Sequence, residues 1–119
     1  LCALTNIVPL LVFGNGEQRR DLLYVRDIPR ILTYLMDSRT TGIFNGVTGN
    51  SVSLNRMIDI IRGISPDELT VEYFDFMPQY DLVFSPPQLL KTFPRLKLTP
   101  IEKGIRETYT AMVSELRKK

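Results

Sequence analysis

The sequence predicts a small α/β domain, α+β-like in its short strands, with a β-hairpin and further strands packed against three to four helices. Two observations carry that prediction. Short apolar runs bounded by Gly, Pro and Asn alternate with longer segments whose apolar residues recur every three or four positions. No repeat and no low-complexity linker divides the 119 residues, which suit one domain.

The first element is Leu10-Leu11-Val12-Phe13, a strand bounded by Pro9 and Gly14. Gly14-Asn15-Gly16 is turn chemistry and predicts a tight hairpin, whose second arm is residues 20–25. Asp27 is the expected cap of a helix with an apolar stripe at Ile28, Ile31, Leu32 and Leu35. Pro29 falls in its first turn, where no amide partner is lost. Residues 43–47, Ile-Phe-Asn-Gly-Val, read as a second strand, and 48–51 as a loop. Ser53 caps the next helix, striped by Leu54, Met57, Ile58 and Ile61 and ended by Gly63. Residues 70–76 alternate well enough for a strand, and 77–85 are irregular. Pro86-Pro87 opens a short helix through Leu89, Leu90 and Phe93. Thr99-Pro100-Ile101-Glu102 is a capping box that starts the last helix, with Ile101, Ile105, Tyr109, Met112, Val113 and Leu116 inward. At the other end, Leu1, Leu4, Ile7 and Val8 look like the tail of a helix.

Composition removes several functions. There is no His, and Cys2 is the one cysteine, so an internal disulfide, a thiolate metal site and a His-based triad are all excluded. The net charge of +2 is weak and scattered, with its only run at Arg117-Lys118-Lys119, so no nucleic-acid face is expected. No apolar run approaches the ~20 residues that span a bilayer, and cysteine usage fits a cytoplasmic protein. None of Tyr24, Tyr34, Tyr73, Tyr80 and Tyr109 has a Lys four residues later. The glycines of residues 41–49 follow a helix and enclose a strand, which is the wrong context for a phosphate loop.

One residue stands out on chemistry. Arg20 follows the Gly-rich turn in an otherwise apolar strand, and a planar guanidinium held there suits a phosphate. It suits equally a surface salt bridge with Asp21, Asp27 or Glu17, and the residues alone leave both readings open.

The segment Gly14-Asn15-Gly16-Glu17-Gln18-Arg19-Arg20-Asp21-Leu22-Leu23-Tyr24-Val25-Arg26-Asp27 resembles a signature of the NAD-dependent epimerases and dehydratases of nucleotide sugars, the extended short-chain dehydrogenase/reductase family. Residues 43–55 look like that family's strand, Gly-rich loop and Ser-capped helix, and Thr99 to Ile105 like its last helix with an embedded Gly. The matches fall in the family's order and span nearly the whole chain.

The resemblance implies that residues 1–119 are the C-terminal substrate-binding domain of a longer enzyme, an N-terminally truncated fragment with the Rossmann domain absent. NAD(P) and the Tyr-x-x-x-Lys chemistry then belong to the missing domain, and this fragment has no catalytic residues and no cofactor of its own. Its partners are a nucleotide-diphosphate sugar and the missing Rossmann domain, and exposed docking faces predict a homo-oligomer. By similarity, Leu11, Val12 and Phe13 line the nucleobase, partly through backbone, Arg20 meets the diphosphate and Asp81 the ribose. Pro78 stands where the family often has a second phosphate-binding Arg, and Ser85 and Pro94 replace a family Asp and Gly. The alternative is a diverged, non-catalytic sugar-nucleotide-binding or protein-interaction module.

Overall fold

The computed structural model describes residues 9–66, 68–74, 79–84 and 88–116. The helix tail read at Leu1 to Val8, Pro78, Ser85, the Pro86-Pro87 helix start, the far end of the strand at Asp75 and Phe76, and the basic run 117–119 lie outside them.

Four strands and four helices follow in the order β1 (Leu10–Phe13), β2 (Arg19–Asp21), α1 (Asp27–Asp37), β3 (Ser51–Ser53), α2 (Leu54–Arg62), β4 (Val71–Phe74), α3 (Gln88–Thr92) and α4 (Ile101–Leu116). They make a small mixed α/β fold, as expected, but the strands do not pair as the sequence suggests. β1 pairs in parallel with β4, Leu10 opposite Val71 and Phe13 opposite Phe74. β2 pairs antiparallel with β3, Arg19 opposite Ser53 and Asp21 opposite Ser51. The predicted hairpin is therefore absent. Gly14 (φ 96°) and Gly16 (φ 79°) both take the left-handed conformation that Asn-Gly hairpins use. Here they swing the chain out of one sheet and into the other. The turn chemistry is read correctly and its product is not, because nothing local says which partner strands arrive from far along the chain, Val71 opposite Leu10 and Ser53 opposite Arg19.

The predicted strand at 43–47 is a second correction. No ladder forms there, and the third strand lies at Ser51–Ser53, inside what reads as loop and cap. Ile43 is 93% exposed, so a segment with strand composition has no partner among the described residues.

Two small cores hold the elements. Val12, Ile58 and Leu69 are buried together, with Leu10, Leu54, Ile61 and Val71 around them, so α2 lies on one face of the β1–β4 pair. Ser53 caps α2 as expected, its hydroxyl accepting from the Arg56 amide at 3.2 Å. Gly63 does end α2, but in right-handed geometry (φ −72°) and not in the left-handed cap its identity suggests. Ile31, Leu89 and Leu96 form the second core with Leu23, Leu35, Phe44 and Phe93 packed against it. Leu89 is fully buried, and Phe93 sits edge-on to Tyr34 with ring centroids 5.8 Å apart. The α1 stripe splits: Ile31 and Leu35 face this core, while Ile28 and Leu32 are exposed.

Asp27 does not cap α1. It is 1% exposed and accepts from the Thr99 amide (2.7 Å), the Thr99 hydroxyl (2.9 Å) and Arg30 Nη1 (2.8 Å). It thereby ties the start of α1 to the entry of α4. The Thr99 hydroxyl of the predicted capping box donates to Asp27, and the first turn of α4 instead closes by the Gly104 amide on the Pro100 carbonyl at 2.9 Å.

Candidate functional site

The turn between β1 and β2 is built by its own side chains. The Asn15 carboxamide accepts from the Glu17 amide at 3.0 Å, an Asx-type closure. The Asn55 side chain, at the start of α2, donates to Glu17 at 2.5 Å and to the Asn15 carbonyl at 3.1 Å. Gln18 turns inward, 6% exposed, and its Nε2 donates to the Phe13 carbonyl at 2.7 Å. β2 then emerges with both edges occupied. β3 lies on one side; on the other, Arg20 forms a bridge with Leu82 and the Leu82 amide donates to the Arg19 carbonyl at 3.0 Å.

That second edge brings Arg20 and Asp81 into one place although they lie far apart in sequence. Asp81 Oδ1 accepts from the Arg19 amide at 2.8 Å. Arg20 Nη1 donates to the Tyr80 carbonyl at 2.7 Å and to the Arg19 carbonyl at 2.8 Å. Successive strand residues point to opposite faces, and Arg19 accordingly reaches the other way, to the Ser51 carbonyl at 2.7 Å.

The carboxylates that the sequence offers as salt-bridge partners for Arg20 are all engaged elsewhere. Asp21 accepts from the Thr48 amide (2.8 Å), the Thr48 hydroxyl (2.9 Å) and the Gly49 amide (2.7 Å). Asp27 serves Thr99 and Arg30, and Glu17 serves Asn55. Among the described residues no carboxylate lies within ion-pairing distance of Arg20. Its guanidinium is oriented by two neutral carbonyls. The same geometry bears on residues 41–49 as a phosphate loop. The Thr48 and Gly49 amides that could cradle an anion already donate to Asp21, so the described residues give no fit for a dinucleotide there.

The residues expected to line a base divide between two faces. Leu11 and Phe13 lie on the side of β1 away from α2, 49% and 53% exposed. Val12 points into the α2 core, which leaves it only backbone to present. Beside Phe13 stands Phe74 of β4, ring centroids 6.2 Å apart, an aromatic neighbour that the sequence pattern does not single out.

A separate concavity lies elsewhere. An apolar groove of about 390 Å³ runs between residues 22–25, α2 and α4, lined among others by Leu22, Met57, Ile61, Ile105 and Met112. It contains none of Leu11, Val12, Phe13, Arg20 and Asp81. At its rim the Tyr24 hydroxyl donates to Glu107 at 2.7 Å, which raises the phenol above its ordinary value near 10, because ionising it would break that bond. No cluster of three or more metal-ligating side chains occurs among the described residues. No helix of the described residues is long and apolar enough to cross a membrane.

The model of the NAD dependent epimerase/dehydratase family matches residues 2–45. The UDP-glucuronate 4-epimerase of Thermodesulfobacterium geofontis is 29% identical over 104 residues, covering 84% of this chain and 32% of that protein. The solved UDP-N-acetylglucosamine 4-epimerase of Methanobrevibacter ruminantium M1, in complex with UDP-N-acetylmuramic acid, superposes with a TM-score of 0.75 at 26% identity, over 95% of this chain and 37% of that one. The NAD-dependent NDP-hexosamine 5,6-dehydratase TunA, of tunicamycin biosynthesis, is 33% identical with a TM-score of 0.68, over 89% and 36%. The chain thus spans about a third of the length of these relatives. In sequence and in fold it is similar to NAD-dependent epimerase/dehydratase enzymes.

Proposed function

We propose that residues 1–119 form the nucleotide-sugar-binding lobe of a longer NAD(P)-dependent epimerase, dehydratase or reductase, and that the lobe has no turnover alone. The observation that carries this is Arg20, a guanidinium fixed by the Tyr80 and Arg19 carbonyls and left without a counter-ion among the described residues. A surface arginine kept for stability would pair with a neighbouring acid; this one is preorganised for an anion from outside. In this reading Arg20 holds the diphosphate, Asp81 meets the ribose, and Leu11, Phe13 and the Val12 backbone line the base. A bound nicotinamide, held by another part of the parent protein, supplies hydride transfer. The lobe contributes binding energy and orientation. The uncovered apolar residues Leu11, Ile28, Leu32 and Ile43 suit a surface that the rest of such an enzyme covers.

The test is Arg20→Ala in the parent protein, titrated calorimetrically with UDP and GDP. Loss of a charge-assisted hydrogen bond weakens binding by about 10- to 100-fold, with an unchanged unfolding midpoint, since Arg20 touches only exposed carbonyls. An unchanged dissociation constant would overturn the phosphate-clamp role. If the chain is instead a diverged module without turnover, as Pro78 in place of a second arginine would allow, the nucleotide still binds and the parent fails to oxidise any UDP-sugar in the presence of NAD.

A further inference from the structure

The turn that separates the base-lining strand from Arg20 is five residues long, and one side chain spans it. Gln18 is buried to 6% exposure; its Nε2 donates to the Phe13 carbonyl at 2.7 Å, at the last residue of β1. Its own carbonyl accepts from the Leu54 amide at 3.3 Å, at the start of α2, and its neighbour's amide is held by Asp81. Gln18 is thus the one residue of the turn joined to β1, to α2 and, through Arg19, to the segment that fixes Arg20. The other end of its carboxamide, Oε1, is buried and has no hydrogen-bond partner among the described residues. Burying an unpaired acceptor is destabilising. A side chain present for stability alone would satisfy both ends or be replaced by an apolar one of the same size. What the carboxamide does secure is the distance and angle between Phe13 and Arg20. From this we infer that Gln18 is a positioning residue, which sets Arg20 relative to the base-lining end of β1 and so acts on ligand affinity through Arg20. The inference rests on the reading that Arg20 meets the diphosphate.

The experiment is a double-mutant cycle in the parent protein, with UDP as the probe. Gln18→Met keeps the unbranched shape and removes the donor. We expect it to bind UDP about tenfold more weakly, the equivalent of one lost hydrogen bond. In an Arg20→Ala background the same change has no further effect, because the residue acts through Arg20; a merely structural contribution would add. Full additivity, or unchanged affinity in Gln18→Met while Arg20→Ala still weakens binding, overturns the positioning role and leaves the proposed function standing. If neither the unmodified protein nor any variant binds UDP or GDP, the proposed function fails and this inference with it. Should Gln18→Met not fold, Gln18→Leu is the second variant; failure of both to fold shows that the bond serves stability, and overturns the inference.

Discussion

Asp21 and Asp27 lie six positions apart and do the same kind of work in two places. Each carboxylate accepts three hydrogen bonds and reaches a segment distant in sequence: Asp21 takes all three from Thr48 and Gly49, Asp27 two from Thr99 and the third from Arg30 one turn along its own helix. Asp27 is the more deeply buried and carries an ion pair with Arg30. Replacing it with Ala leaves the Thr99 amide and the Arg30 guanidinium without their acceptor. The stranded Thr99 donors cost about 1–3 kcal/mol, and the ion pair, whose Arg30 end is half exposed, adds little, so Asp27→Ala should move the urea midpoint down with an unchanged m-value, whereas a surface carboxylate such as Asp37 should not. A midpoint within error of the unmodified protein would show that Thr99 and Arg30 find other partners. Arg20 was legible from sequence as a chemical oddity, an Arg after a glycine turn. What Asp21 and Asp27 do was not, because a partner 27 or 72 residues away leaves no mark on local pattern. For the same reason the sequence leaves the salt-bridge reading of Arg20 open, whereas in the structure Asp21, Asp27 and Glu17 are engaged elsewhere.

At the level of elements, helix positions were read well and strand pairing badly. The helices announce themselves by apolar spacing and caps, both local. The strands have three or four residues each, and their partners depend on tertiary contacts that no short segment encodes. The contact between α4 and residues 22–25 shows how close such packing is. A Cβ added at Gly104 would stand 3.3 Å from the Tyr24 Cβ, and Tyr24 is tethered at its far end by Glu107. Alanine in a helix interior favours folding by about 1 kcal/mol over glycine. Here the tethered ring resists moving, so Gly104→Ala should be neutral to destabilising in the unmodified protein. Tyr24→Ala keeps the Cβ at 3.3 Å but removes the ring atoms at 3.4 Å and the tether to Glu107, so the segment can give way and more of the propensity gain of about 1 kcal/mol should appear in the unfolding free energy. An equal effect in both backgrounds would mean that α4 slides to accommodate the methyl. The tether also has a pH signature. Because Tyr24 is raised above its ordinary value near 10 by the bond to Glu107, the folded state holds that proton longer than the unfolded chain. The stabilisation is fully present below the unfolded value and is lost as pH rises through the folded one. Thermal midpoints should therefore fall in that alkaline window, and fall less in Tyr24→Phe.

The molecule as a whole is a slab of 50 × 40 × 20 Å with a Cα radius of gyration of 16.9 Å. A compact globule of this length would have about 13.5 Å. Among the described residues seven apolar side chains are buried in the core and fifteen large ones are exposed. The exposed ones are not scattered. Val25, Ile28, Leu32 and Met36 are spaced three and four apart, along the outer side of α1 and the turn before it, and Ile43 stands in a strand-like segment with no ladder. A helix face and an unpaired extended segment of that kind join readily to a sheet or to another copy. The chain on its own should therefore self-associate, with a sedimentation coefficient that rises over the micromolar range. Met36→Lys and Ile43→Lys, which touch neither core, should together shift it towards monomer without lowering the thermal midpoint. A concentration-independent monomer in the unmodified chain would mean that these residues are solvated singly and present no common face, and would also remove one support for the proposal that further protein covers them. Association that persists in the double variant would move the contact elsewhere, to the outer side of β1 and β4, where Leu11, Phe13 and Phe74 are exposed. Phe13→Lys then becomes the deciding substitution, since it breaks that face while leaving Arg20 and its carbonyl partners untouched.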